Sequence, residues 1–155
     1  ERTGIAGVGR SKAALKHLKE IALKETSAGR PMIEDARFRD RIAQVELELM
    51  ALEITNMRVL SAEKEKKAPG PEASILKIKG TEIQQTIAEL QMQALGHYAL
   101  PWLPEALDAA WTGEPVGADH AAPLSGHYFN YRKTTIYGGS NEIQKNIIAK
   151  AVLGL

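Results

Sequence analysis

The sequence predicts an all-α domain, an up-and-down bundle of four helices, and three observations carry that prediction. Apolar residues recur at steps of three and four through three long segments. No segment alternates apolar and polar residues over a convincing strand length. Hydrophobic residues make up 44% of the 155 and charged residues 25%, a balance that lets one domain bury a core and solvate its outside.

The first helix is drawn by Ile5, Val8, Leu15, Leu18 and Ala22, with Ser11 and Lys12 in the gap. Gly4, Gly7 and Gly9 weaken its opening turns by roughly 1 kcal/mol each relative to alanine, a cost that suits a backbone needed close to something else. It should stop at Ser27-Ala28-Gly29-Arg30-Pro31, where proline follows glycine. In the second helix Phe38, Ile42, Val45, Leu49, Leu52, Asn56 and Val59 step by four and three, while Arg39, Asp40, Arg41, Glu46, Glu48 and Glu53 fall away from that line. This is the seam of a bundle or coiled coil, and Asn56 is expected on it as a hydrogen-bonded core asparagine.

Residues 63–70 form a charged, solvated stretch, and Pro71 suits the first turn of a third helix. That helix carries Leu76, Ile83, Ile87, Leu90, Ala94 and Gly80 on one stripe, with Gln84, Gln85, Gln91 and Gln93 elsewhere, and should end near Gly96-His97-Tyr98. From Ala99 to Gly126 the periodicity vanishes among Pro101, Pro104, Pro115 and Pro123, with Trp102 and Trp111 as anchors and one short helical turn over 105–110. Loops of that length in compact domains are usually functional or face a partner. The last helix starts near Asn141 and sets Ile143, Ile147, Ala151 and Leu155 on one side.

Several function classes drop out on composition. A formal net charge of +1 argues against a nucleic-acid surface, and the absence of cysteine removes disulfides, thiolate metal sites and a thiol nucleophile. No apolar run is long enough to span a bilayer as a helix. His17, His97, His120 and His127 lack metal-ligand spacing, and no Glu-x-x-His pair exists for a di-iron bundle, so no metal site is expected. His17 is expected on a solvated helix face. Neither a nucleophile elbow nor a phosphate loop is present, since no strand precedes the Gly4–Gly9 run. The opening Glu1-Arg2-Thr3, without an initiator methionine, suggests a piece of a longer polypeptide.

One string is more specific. Tyr137-Gly138-Gly139-Ser140-Asn141-Glu142-Ile143-Gln144-Lys145 couples a two-glycine turn to a helix start, after the polar-aromatic run Tyr128 to Ile136. Glycines permit positive φ or a close backbone approach, and a helix N-terminus offers unpaired N–H groups to an anionic or polar partner. With its continuation Ile147-Ile148-Ala149-Lys150, the string resembles the C-terminal signature of the acyl-CoA dehydrogenase family. The likeness covers essentially the whole chain, as that family's C-terminal helical domain.

The resemblance implies a subunit of three domains that holds FAD between them and a neighbouring subunit. A glutamate removes the α-proton of an acyl-CoA thioester while the β-hydrogen passes as hydride to the flavin, giving a trans-2-enoyl product. It further implies electron-transfer flavoprotein as acceptor, a homo-oligomer (dimer or tetramer), and a location in the bacterial cytoplasm or mitochondrial matrix. Alternatives are a non-catalytic helical oligomerisation or interaction domain and an acyl-CoA oxidase-like enzyme. The seam from Phe38 to Val59, with the apolar third helix, is expected to supply tetramer contacts.

Site residues follow the same resemblance. Most members place the catalytic glutamate at the position that here is Gly138, which has no proton acceptor. A minority, similar to the long-chain and isovaleryl branches, carries it before an arginine at the head of the first helix, and this chain has Glu1-Arg2 there. Glu1 is therefore the expected base, the Gly138 backbone N–H the expected donor to the thioester oxygen, and Arg2 and Tyr137 the expected substrate neighbours. Ser140, Asn141 and Glu142 match positions that touch the flavin. Gln93, Ala94, Leu95, Gly96 and His97 align with a Gln-x-x-Gly-Gly stretch that approaches its diphosphate from the neighbouring subunit, His97 replacing the second glycine. Glu25 stands where most members have an arginine, so Lys24 or Arg30 must compensate beside the diphosphate, or the grip differs.

Overall fold

The computed structural model describes residues 3–64 and 70–154. Glu1 and Arg2 lie outside the described residues, as does most of the expected charged loop. Five helices are described: α1 (Val8–Lys24), α2 (Ala36–Lys64), α3 (Glu72–Leu95), α4 (Ala122–Tyr131) and α5 (Asn141–Leu153). Short 3-10 turns occupy Thr3–Ala6, Met32–Glu34, Gly96–Ala99, Pro104–Leu107 and Arg132–Thr135. The only described strands are β1 (Thr26–Ser27) and β2 (Arg30–Pro31), paired antiparallel with Thr26 opposite Pro31. Ala28 and Gly29 between them both take positive φ, 52° and 77°, as primed hairpin turns require. The glycine expected to stop α1 therefore turns a small hairpin instead.

The all-α prediction holds, with one helix more than the four expected. Helix α4 lies partly inside the stretch read as loop. It buries only Leu124 and Ser125, too few positions to produce a periodic signal, and Pro123 sits in its first turn, where a missing N–H costs nothing. The expected turn over 105–110 appears as Pro104–Leu107.

Helix α3 is the centre and packs against α1, α2, α4 and α5. Leu76, Ile83, Ile87 and Leu90 meet Leu18 and Ile21 of α1 and Ile42 and Leu49 of α2 in one core. Every apolar residue of the α2 seam is buried inside this chain, so that seam is not available for subunit contacts as expected. Asn56 also departs from expectation: it is half-buried, and its Oδ1 is buried without a hydrogen-bond partner. The apolar side of α5 faces outward, with Ile143 and Ile147 exposed.

Helix α1 starts only at Val8. Gly7, at φ 59°, separates it from the Thr3–Ala6 turn, which descends onto α3 at Gly80. A Cβ built on Gly80 would stand 2.7 Å from the Ala6 carbonyl oxygen, closer than real atoms approach. Gly80→Ala should gain up to about 1 kcal/mol of helix propensity and lose about 1–3 kcal/mol by overpacking. The expected result is a lower denaturant midpoint than wild type, and lower again for Gly80→Val; a rise in both variants would show that the contact is loose.

Candidate functional site

The signature turn stands at the surface, between the end of α4 and the start of α5. Gly138 and Gly139 take φ 68° and 83°, and Tyr137 beside them is 56% exposed. A Cβ on Gly138 would meet nothing within 4 Å, whereas one on Gly139 would lie 2.6 Å from Gln144 Nε2. That amide donates to the Gly138 carbonyl at 3.1 Å and so fixes the turn against the first turn of α5. Ser140 caps α5, its Oγ accepting from the Ile143 N–H at 3.5 Å. The Glu142 carboxyl, exposed in the same turn, is held below the usual carboxylate range by its hydrogen bond with Ser140 and by its own backbone N–H.

Two side chains of α3 anchor the backbone that enters this turn. Gln85 Nε2 donates to the Tyr131 and Arg132 carbonyls at 3.0 and 3.2 Å, oxygens that also accept from the Thr134 and Thr135 hydroxyls, so the end of α4 is bonded to α3. Arg132 returns the contact, donating to the Gln85 carbonyl at 3.0 Å while its guanidinium lies 4.3 Å from the Tyr128 ring centroid. One end lower on the same helix, Lys77 is only 3% exposed. Its Nζ donates to the Thr135 carbonyl at 3.1 Å and to Asn141 Oδ1 at 2.9 Å. Burial lowers the Lys77 pKa from its ordinary value, and the Glu142 charge opposes that shift.

The expected site residues are therefore placed unevenly. Gly138, Tyr137 and Glu142 face outward and Ser140 is half-buried at the cap. The Asn141 side chain is 8% exposed and is turned inward to Lys77, leaving its backbone for a ligand. In the other stretch Ala94 and Leu95 are core residues, so their side chains are also withdrawn from any ligand. Gln93 and His97 are exposed, and Gly96 closes α3 at φ 56° with open space around it. Gln93 accepts from Arg41 and donates to Glu89 at 3.0 Å, so a ligand there would compete with an existing network.

Glu25 is answered neither by Lys24 nor by Arg30. Its Oε1 lies 2.9 Å from Nε2 of His120, a residue of the long loop, although the ring is off line for a hydrogen bond. His120 has no carboxylate partner at helical spacing in the sequence, so this pairing was hidden by a separation of 95 positions. Lys77 and Gln85 were also missed as site-building residues. A signal existed, since Lys77, Thr81 and Gln85 form a polar stripe at four-residue steps beside the apolar one.

A model of the acyl-CoA dehydrogenase C-terminal domain family matches residues 1–153. The chain belongs to that family. Acyl-CoA dehydrogenase IpdE1 of Mycobacterium tuberculosis is 28% identical over 141 residues, which is 91% of this chain and 31% of that protein. Butyryl-CoA dehydrogenase from Megasphaera elsdenii has the same fold at TM-score 0.74 and 20% identity, over 98% of this chain and 36% of that one. The FAD complex of PigA gives TM-score 0.73 at 22% identity, over 96% of this chain and 34% of that one. This acyl-CoA dehydrogenase C-terminal domain thus spans roughly a third of the relatives it matches.

Between α1, α3 and α4 the domain also holds a cavity of about 60 Å³, lined in part by Ser11, Gln84, His127 and Tyr131. Ser11 Oγ is buried there without a partner, and the His127 ring stacks on Tyr131 at a centroid distance of 4.0 Å. Burial pushes the His127 imidazole below its ordinary pKa. The unfolded chain, with a histidine pKa of about 6.5, then binds the proton more readily than the folded one. His127 should contribute full stability above that pH, and the contribution should be lost as the pH falls through the folded-state value. Thermal melts at pH 7.5 and 5.0 should show a larger loss for wild type than for His127→Gln; equal losses would contradict the assignment.

Proposed function

We propose that this domain completes the active site of an FAD-dependent acyl-CoA dehydrogenase that oxidises the Cα–Cβ bond of an acyl thioester to a trans-2-enoyl product. One observation carries the reading. The Thr3–Ala6 turn, directly after Glu1-Arg2, rests on Gly80, while the backbone flanking the Gly138 turn is held by Lys77. Gly80 and Lys77 are three residues apart on α3 and so lie on one face. The same stretch of helix supports both the segment that follows the expected base and the turn that offers the expected N–H donor.

The residues present fit the flavin at the closing helix. The N–H groups of Ile143 and Glu142 already meet Ser140 Oγ and the Glu142 carboxyl, so a polar group at the head of α5 would meet the backbone before them, and the φ 83° of Gly139, crowded by Gln144, admits little besides glycine. Ser140, Glu142 and, through their backbones, Asn141 and the Gly96 turn would hold it, and bound FAD would supply the hydride acceptor. The chain's own part is the proton. The Glu1 carboxylate removes the α-proton of the thioester, and expulsion of water by the acyl chain raises its basicity. The Gly138 N–H donates to the thioester oxygen, where negative charge grows as the proton leaves; the backbone supplies this donor, so glycine suffices. Arg2 and Tyr137 border the same substrate. Electrons leave the reduced protein to electron-transfer flavoprotein.

A homo-oligomer would use the second apolar stripe of α2, since the first is consumed internally. Leu47, Met50, Ile54 and Met57 step by three and four and are all exposed. In the full-length protein Met50→Lys should lower the mass measured by sedimentation, and an unchanged mass would place the interface elsewhere. For the chemistry, Glu1→Gln in the full-length protein should slow anaerobic flavin reduction by acyl-CoA about 10²- to 10⁴-fold, the usual contribution of a positioned base. An undiminished rate would remove Glu1 from the mechanism.

A further inference from the structure

We infer that Lys77 is a positioning residue that staples both ends of the Ile136–Ser140 turn, and thereby sets where the Gly138 N–H is presented. The inference rests on the reading of that turn as thioester-facing. The Lys77 ammonium reaches the last residue before the turn through the Thr135 carbonyl and the first residue after it through Asn141 Oδ1, at 3.1 and 2.9 Å. Ile136, Tyr137, Gly138 and Gly139 between those contacts are exposed, and both glycines sit at positive φ. The described hydrogen bonds within the turn region come from Gln144, the Ser140 cap and two backbone bonds to the Lys133 carbonyl. An exposed two-glycine turn has high backbone freedom, and a donor that must meet a growing oxyanion tolerates little of it.

The chemistry of the contact separates positioning from ordinary stabilisation. The ammonium is buried against a carbonyl and an amide oxygen, with no carboxylate in contact, and Glu142 acts only at longer range. Burying the cation carries a desolvation cost that an apolar side chain of equal length removes, but such a side chain leaves the Thr135 carbonyl and Asn141 Oδ1 without their donor, so the loss of stability is moderate and falls on the turn. What a methionine cannot do is bind two backbone-defining oxygens at once. Thr81 one turn along, with its hydroxyl bonded to the Lys77 carbonyl at 3.0 Å, does not reach the turn and offers no substitute.

The test uses the full-length protein carrying Lys77→Met, compared with wild type and Glu1→Gln. Three measurements are made: the thermal midpoint, hydrogen exchange of the amides at 136–143, and kcat and KM for an acyl-CoA. The expected result is a midpoint at most moderately below wild type, exchange at 136–143 at least about 10-fold faster with the rest of the domain unchanged, and kcat about 10- to 100-fold lower with a smaller change in KM. Lys77→Gln, which keeps one donor group, should fall between the two and serves if the methionine variant does not fold. Unchanged exchange at 136–143 would overturn the staple whatever the activity. A fall in midpoint with exchange rising throughout the domain would mark Lys77 as a plain structural residue and overturn it too. Faster local exchange with intact kcat would overturn the positioning role: with Glu1→Gln inactive the staple alone fails, and with Glu1→Gln fully active the thioester reading of the turn fails with it.

Discussion

The burial of α3 on several sides at once is the constraint on which this domain depends. A helix in that position must be apolar toward α1 and α2 and still meet chain ends and turns that expose unpaired backbone. It does so by giving a separate stripe to Lys77, Thr81 and Gln85, with Gly80 beside them. Gln85 meets the carbonyls at the end of α4, Lys77 meets the Thr135 carbonyl and the Asn141 side chain on either side of the signature turn, and Gly80 removes the Cβ that would hold the Thr3–Ala6 turn away. Buried polar groups are tolerated when they are bonded, and here Lys77 and Gln85 bond both irregular backbone and the side chains beside it.

Charges contribute little to holding the three long helices together. Lys12 with Glu53, Lys19 with Glu46 and Arg41 with Glu89 bridge neighbouring helices, but each pair is substantially exposed and such pairs are worth about 0–1 kcal/mol. The core carries the fold, and it is strongly weighted to α1, α2 and α3. The periphery differs. Leu47, Met50, Ile54 and Met57 on α2, and Ile143, Ile147, Val152 and Leu153 on α5, leave two apolar faces uncovered. Faces of that extent are interaction surfaces in soluble proteins, as expected of a domain that spans roughly a third of its relatives.

Sequence periodicity made the three long helices and their core legible because they bury one stripe each over many turns. Helix α4 was not legible: with two buried residues it has no stripe, and its proline was read as a breaker when it serves as a first-turn residue. The glycine pair and the helix start at Asn141 were legible because positive φ and helix initiation are local requirements. Partnerships across the chain were not. Asn141 looks like a helix-start residue free to meet a ligand, and only the fold reveals that it faces a lysine 64 positions earlier. Glu25 likewise looks like an unanswered carboxylate until the long loop brings His120 to it. In each case the sequence contains both partners and nothing that joins them.

The φ of Gly138 is in keeping with the proposal that the base is located elsewhere. At φ 68° the backbone lies in the left-handed region, where a side chain costs about 1–2 kcal/mol relative to glycine. The space beside it is open, so sterics alone do not exclude a glutamate; the backbone conformation disfavours one. A turn in that conformation is best used for its N–H, which needs no side chain and is aimed by the residues on either side. On the proposed reading the proton acceptor comes from another segment, and the segment following Glu1-Arg2 shares α3's Lys77–Gly80 face with the turn. Dividing acid-base and electrostatic roles between two segments demands that a third element hold both in register. A rigid helix packed in the core meets that demand better than either segment could alone.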